Sequence, residues 1–133
     1  MFSTTYKVTF SETDPGGILF FAEIFKIAHI VYEQFFDSSN FKINYFIDND
    51  IAIPIVHTEA DFFSPIKFGD NLKCRLNVEE LGSTSFKLSY KFLVDEKIVA
   101  SVKTAHVVIM KHNFEKTPIP TEILAMLKQN IIT

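Results

Sequence analysis

The run Ser11-Glu12-Thr13-Asp14-Pro15-Gly16-Gly17-Ile18-Leu19-Phe20-Phe21 carries a carboxylate through a Pro-Gly-Gly turn to the foot of an apolar helical run. Glycines let backbone N–H groups approach a ligand closely. The start of a helix adds unpaired N–H donors and a partial positive charge. A side chain able to take a proton or attack a carbonyl thus stands beside a place prepared for negative charge on oxygen. That pairing suits acyl transfer. Asp14 equally suits a turn or helix cap, as many Asp residues before Pro-Gly do, and residue type alone does not separate the two roles.

Other chemistries find less support. The 4 histidines form no His-x-x-x-His or Glu-x-x-His pattern, so no metal site is expected. Cys74 is the 1 cysteine, which rules out an intramolecular disulfide; it sits in an alternating run where a small buried hydrophobe is expected. No Gly-x-Ser-x-Gly motif suggests a serine esterase. A formal net charge of −3, with Arg75 the sole arginine, weighs against nucleic-acid binding. The N-terminal residues lack signal-peptide organisation, and Glu23, Lys26 and His29 interrupt the apolar run at Ile18–Ala22. A protein of the cytoplasm with no membrane partner is expected.

The elements that must position these residues can be read from periodicity. The 133 residues, 47% of them hydrophobic, suit one domain spanning residues 1–133. Tyr6–Phe10 reads as a first strand. From Ile18 to about Phe36 the pattern predicts a nearly buried helix. At about 100° per residue, Glu23, Lys26, His29, Glu33 and Gln34 fall on one narrow polar arc. Residues 40–50 (Asn40, Asn44, Asp48, Asn49 and Asp50 among aromatics) read as an irregular connection. Ile51–Phe63, Asn71–Glu80, Ser85–Val94 and Lys97–Met110 are strand-like, and their short links imply antiparallel pairing. Thr121–Asn130 reads as a terminal helix with Thr121 at its N-cap. The fold class is therefore α+β, one long central helix wrapped by a curved antiparallel sheet of about five strands. One helix cannot cover both sheet faces, so an apolar face or a sheet edge should be buried by a second copy.

This order of elements, with Asp14-Pro15-Gly16-Gly17 followed by an aliphatic pair and an aromatic pair, resembles the hotdog-fold thioesterases of the 4-hydroxybenzoyl-CoA type. A second block, Ile51-Ala52-Ile53-Pro54-Ile55-Val56-His57 and Asp61-Phe62-Phe63-Ser64-Pro65, looks like the 1,4-dihydroxy-2-naphthoyl-CoA thioesterases of quinone biosynthesis. The resemblance covers nearly the whole chain. It implies hydrolysis of an aromatic acyl-CoA, with coenzyme A as part of the substrate, water as co-substrate and no cofactor. It also implies active sites between subunits of a homo-oligomer, a dimer or tetramer. Two alternatives are an aliphatic acyl-CoA thioesterase on the same scaffold and a non-catalytic acyl-CoA-binding module.

Carried onto this chain, the resemblance makes Asp14 the essential carboxylate, either attacking the thioester carbonyl or acting as general base on water. It makes the Phe21 backbone amide the donor to the thioester oxygen, while Gly17, with Gly16, gives access. Glu23 stands where the family often has Asn after the aromatic-alanine pair, and it and His57 are candidates for substrate contact. Lys67, Lys73, Lys111 and Lys116 lie near connections, available to the coenzyme's phosphates.

Overall fold

The alternating residues of the C-terminal two-thirds build a sheet with one dry face. The computed structural model describes residues 1–47 and 49–132. Asp48, read above as part of the irregular connection, lies outside the described residues. Strand β1 (Phe2–Lys7) pairs antiparallel with β4 (Asn71–Leu81), which is followed in the sheet by β5 (Ser85–Val94), β6 (Lys97–Val107) and β3 (Ile55–Phe62). Register aligns the inward residues in rows: Cys74, Phe92 and Ala100 form one row, and Leu76, Tyr90 and Val102 the next. Register shifts at Ile55/His57, Val78/Glu80 and Phe92/Leu93 curl the sheet. Asp95 and Glu96, with φ of 49° and 66°, close a two-residue hairpin of the kind that suits strand twist.

Helix α1 (Glu23–Asp37) fills the concave side. Ile24, Ile27, Ala28, Val31, Tyr32, Phe35 and Phe36 are buried, and the polar arc stays outside as the periodicity predicts. Ser38 ends the helix, and Asn40 beyond it adopts φ of 50°. Helix α2 (Thr121–Gln129) closes the β4 side of the sheet through Ile123, Met126 and Leu127. Among the described residues no helix is long and apolar enough to cross a membrane.

Five expectations need correction. The predicted helix from Ile18 begins five residues later, at Glu23, because the Leu19 N–H donates to the Ile66 carbonyl at 2.7 Å and holds that stretch extended. The first strand ends at Lys7, and Phe10–Glu12 form a 3₁₀ turn. Pro54, lacking an N–H for the ladder, divides the long segment into β2 (Ile51–Ala52) and β3, and β2 pairs separately with β7 (Ile109–Met110). Thr121 is not the cap of α2 but its first residue; Pro120 holds the cap position. The outer sheet face is not apolar either. It carries Lys73, Arg75, Asn77, Ser89, Lys91, Ser101 and Lys103, and Arg75 and Lys103 pair with Glu96 and Glu79. Exposed apolar surface lies instead along the β3 edge, at Ile55, Val56 and Phe62.

Candidate active site

Asp14 sits on a closed turn rather than on a helix. Its N–H donates to the Ile18 carbonyl at 2.8 Å, and the Gly17 N–H donates to the Asp14 carbonyl at 2.9 Å. A bridge between Thr13 and Leu19 closes the loop one residue further out. The carboxylate is pinned through one oxygen: Oδ1 accepts the Gly16 N–H at 2.8 Å and the Ile18 N–H at 3.4 Å. Among the described residues Oδ2 has no partner. Asp14 therefore caps its own turn and not α1, whose N-cap is Ala22, and keeps one oxygen free for a reacting atom.

The glycines shape this turn. Gly17 has φ of 81°, a conformation that side chains rarely tolerate. A Cβ on Gly16 would stand 3.2 Å from Asp14 Oδ1. Both glycine N–H groups are spent inside the turn, so neither is an oxyanion donor. Unpaired N–H groups lie further on. Glu23, Ile24 and Phe25 bond back to Phe20, Phe21 and Ala22 in tight i→i−3 fashion. The Phe21 and Ala22 N–H groups have no acceptor among the described residues and stand at the positive end of α1. The resemblance implies a donor role for the Phe21 amide and names none for Ala22. The aromatic rings at this corner are not core: Phe21 is 63% exposed, and its ring lies 5.0 Å from that of the exposed Phe20.

Beside the corner runs an apolar groove of about 350 Å³ between Ile18 and Phe21 on one side and Phe62, Phe63 and Pro65 on the other. Ser64 is the polar side chain on its wall. Size does not select it, since a hollow of about 550 Å³ near Val56, Phe86 and Val107 shares no residue with the Asp14 turn.

Glu23 and His57 are placed differently from Asp14 and Phe21. Glu23 is the first residue of α1 and pairs with Lys26 at 3.0 Å. His57 lies exposed on the β3 edge, its Nε2 3.6 Å from Glu59. Nothing within the described chain joins it to the Asp14 turn. Of the four lysines, Lys67 borders the turn, bridging to Ile18. Cys74 is buried, and burial pushes its thiol up to about 12, so it is no nucleophile.

Two buried polar residues escaped sequence reasoning. Glu12 is fully buried and accepts from Lys26 Nζ at 2.8 Å, the Thr9 N–H at 2.8 Å and the Tyr6 hydroxyl at 2.6 Å. Burial alone would raise its pKa, but these donors outweigh it and hold the carboxyl down to about 2. The signal was present in the Thr9-x-x-Glu12 spacing of a capping box. His106 lies in the core against Phe86, its Nε2 2.7 Å from Thr104 Oγ1, which also meets the Tyr90 hydroxyl at 3.0 Å. Its place on the inward row with Val102 and Thr104 follows from strand alternation.

Comparison with known proteins fits this geometry to a family. Residues 8–127 match the model of the thioesterase-like superfamily. The chain belongs to that superfamily. Among its thioesterase-like relatives, a 1,4-dihydroxy-2-naphthoyl-CoA hydrolase of Nostoc punctiforme is 35% identical over 131 residues, covering 96% of this chain and 88% of that one. One of the same name from Rippkaea orientalis is 34% identical, covering 93% of each chain. The crystal structure of a 1,4-dihydroxy-2-naphthoyl-CoA thioesterase from Synechocystis superposes with a TM-score of 0.88 at 27% identity, over 96% of this chain and 95% of that one. A gentisyl-coenzyme A thioesterase superposes with a TM-score of 0.84 at 27% identity, over 94% and 98%. One helix held in a five-stranded antiparallel sheet is thus the hotdog fold of the thioesterase-like proteins.

Proposed function

We propose that this thioesterase-like protein hydrolyses an aromatic acyl-CoA to the free acid and coenzyme A, with 1,4-dihydroxy-2-naphthoyl-CoA as substrate. The observation that carries this is the Asp14 carboxylate, fixed through Oδ1 and open at Oδ2, on a turn that leads directly to the unpaired Phe21 and Ala22 N–H groups. The names of the relatives, and the aromatic lining of the adjoining groove, support an aromatic acyl group.

In this reading the thioester carbonyl lies with its oxygen toward the Phe21 N–H. Negative charge gathers on that oxygen as the carbonyl carbon becomes tetrahedral. A preorganised donor acts chiefly at that stage and contributes about 3 kcal/mol. Asp14 Oδ2 either takes the proton of the attacking water or itself attacks the carbon to give a mixed anhydride that water then opens. In both cases the C–S bond breaks and coenzyme A leaves as thiolate. Glu23, already paired with Lys26, serves the helix start more than the substrate.

The β3 edge supports assembly with a second copy. Among the described residues its backbone is paired only with β6, and it exposes Ile55, Val56 and Phe62. Pairing two copies along it would cover that surface and bring His57 of each to the interface, where a substrate contact becomes available. The test is a panel of aromatic and aliphatic acyl-CoA thioesters. Fastest turnover of the naphthoyl thioester is expected. A preference for hexanoyl or longer aliphatic thioesters would favour the aliphatic alternative, and inertness toward all of them the binding module.

A further inference from the structure

A buried charge two residues from the reacting carboxylate calls for a role. Glu12 is completely buried, yet its carboxylate binds donors from three parts of the fold: Tyr6 on β1, Thr9 before the 3₁₀ turn, and Lys26 on α1. Its main chain is equally engaged. The Glu12 carbonyl accepts the Phe20 N–H at 2.9 Å, immediately before the Phe21 amide. The segment from Glu12 to Phe20 is therefore a closed loop whose two ends meet at Glu12, with Asp14 inside it. Lys26 reaches Glu12 at 2.8 Å and Glu23 at 3.0 Å, tying that junction to the first turn of α1.

We infer that Glu12 is a positioning residue for thioester hydrolysis: its ion pair with Lys26 fixes the Asp14 carboxylate relative to the Phe21 and Ala22 N–H groups. This rests on the assignment of Asp14 and Phe21 as reacting groups. Catalysis needs those groups aligned to a fraction of an ångström, and a displacement of about 1 Å can cost roughly 100-fold. A fold-stabilising salt bridge needs no such placement, and exposed pairs contribute little to stability. Lys26 is 52% exposed, so the energetic stake lies with the buried carboxylate rather than with the lysine. A protonated or amide group at Glu12 turns one acceptor into a donor facing the Tyr6 hydroxyl, the Thr9 N–H and Lys26. The junction must then shift, and Asp14 and Phe21 shift with it.

The test combines steady-state kinetics with amide exchange in the full chain. Glu12→Gln keeps the shape and removes the charge. It is expected to lower kcat by up to about 100-fold with KM little changed, while the Gly16 and Phe20 amides exchange faster and core helix amides such as Val31 do not. Lys26→Met leaves the carboxylate buried without its cation, which raises its pKa. The variant should therefore gain an acid limb in kcat at higher pH than wild type. That limb should vanish in Glu12→Gln/Lys26→Met, and Lys26→Arg should recover most of the lost kcat. Loss of kcat strictly in proportion to global unfolding, or an acid limb that survives in the double variant, would overturn the inference. If wild type hydrolyses no thioester, the functional reading falls on its own; unchanged Gly16 and Phe20 exchange in Glu12→Gln would then overturn the positioning role separately.

Discussion

His106 makes stability depend on pH in a window that its surroundings define. The imidazole is fully buried, stacked 4.8 Å from Phe86 at 8°, with the Tyr32 ring 4.7 Å away. Nε2 meets Thr104 Oγ1, but Nδ1 has no partner among the described residues. A charged ring carries protons on both nitrogens, and the one on Nδ1 has nothing among the described residues to accept it. Burial, and secondarily the approach of His29, push the pKa down to about 3. An unfolded chain takes up this proton near pH 6.5. Between those values the unfolded state binds more protons than the folded one, so stability falls as pH falls. The slope approaches about 1.4 kcal/mol per pH unit below the unfolded pKa, giving about 2 kcal/mol between about pH 6.5 and 4.5. Glu12, held at about 2, acts lower: its contribution is intact above an ordinary carboxylate pKa and is lost as pH falls through its folded value. Urea unfolding from about pH 7.5 to 4.5, in wild type and His106→Leu, measures the effect. Wild type should lose stability across the window, and the variant should show a slope shallower by about one proton. Identical slopes in the two proteins would refute the burial argument.

Other outcomes follow from the turn and the sheet edge. Gly16→Ala presses a Cβ to 3.2 Å from Asp14 Oδ1 and should lower kcat while the fold persists, read by steady-state kinetics beside circular dichroism. Gly17→Ala meets open space but at φ of 81°, so it should cost about 1 kcal/mol of stability, a drop in Tm of about 4 °C by calorimetry. Val56→Lys on the exposed β3 edge should give a smaller species by light scattering and reduce activity with it; an unchanged mass would refute assembly through that edge.

Much of the scaffold was legible because it rests on local period. The polar arc of α1 and the alternation of β4 and β5 appear in the residues themselves, and Ser85–Val94 matched its strand end for end. The errors arose where distant contacts decide. Leu19 and Ile66 are far apart in the chain, yet their hydrogen bond delays the helix. The Thr9-x-x-Glu12 spacing marks a capping box, but nothing local shows that Lys26 and Tyr6 close over Glu12. The closeness of Asp14 to the start of α1 was readable because one short segment holds both. For His57 no local signal assigns a role: it lies exposed on β3, paired with Ala105 and 3.6 Å from Glu59.

Asp14 is proposed to cleave a thioester with the help of the α1 start. Hydrolysis of 1,4-dihydroxy-2-naphthoyl-CoA by wild type and Asp14→Asn, followed by thiol release, tests it most directly. The amide keeps an oxygen for the Gly16 and Ile18 N–H groups, so the turn should persist. Rapid release by wild type and a fall in kcat of at least about 100-fold in a folded variant are expected. Near-normal turnover by folded Asp14→Asn would contradict this role.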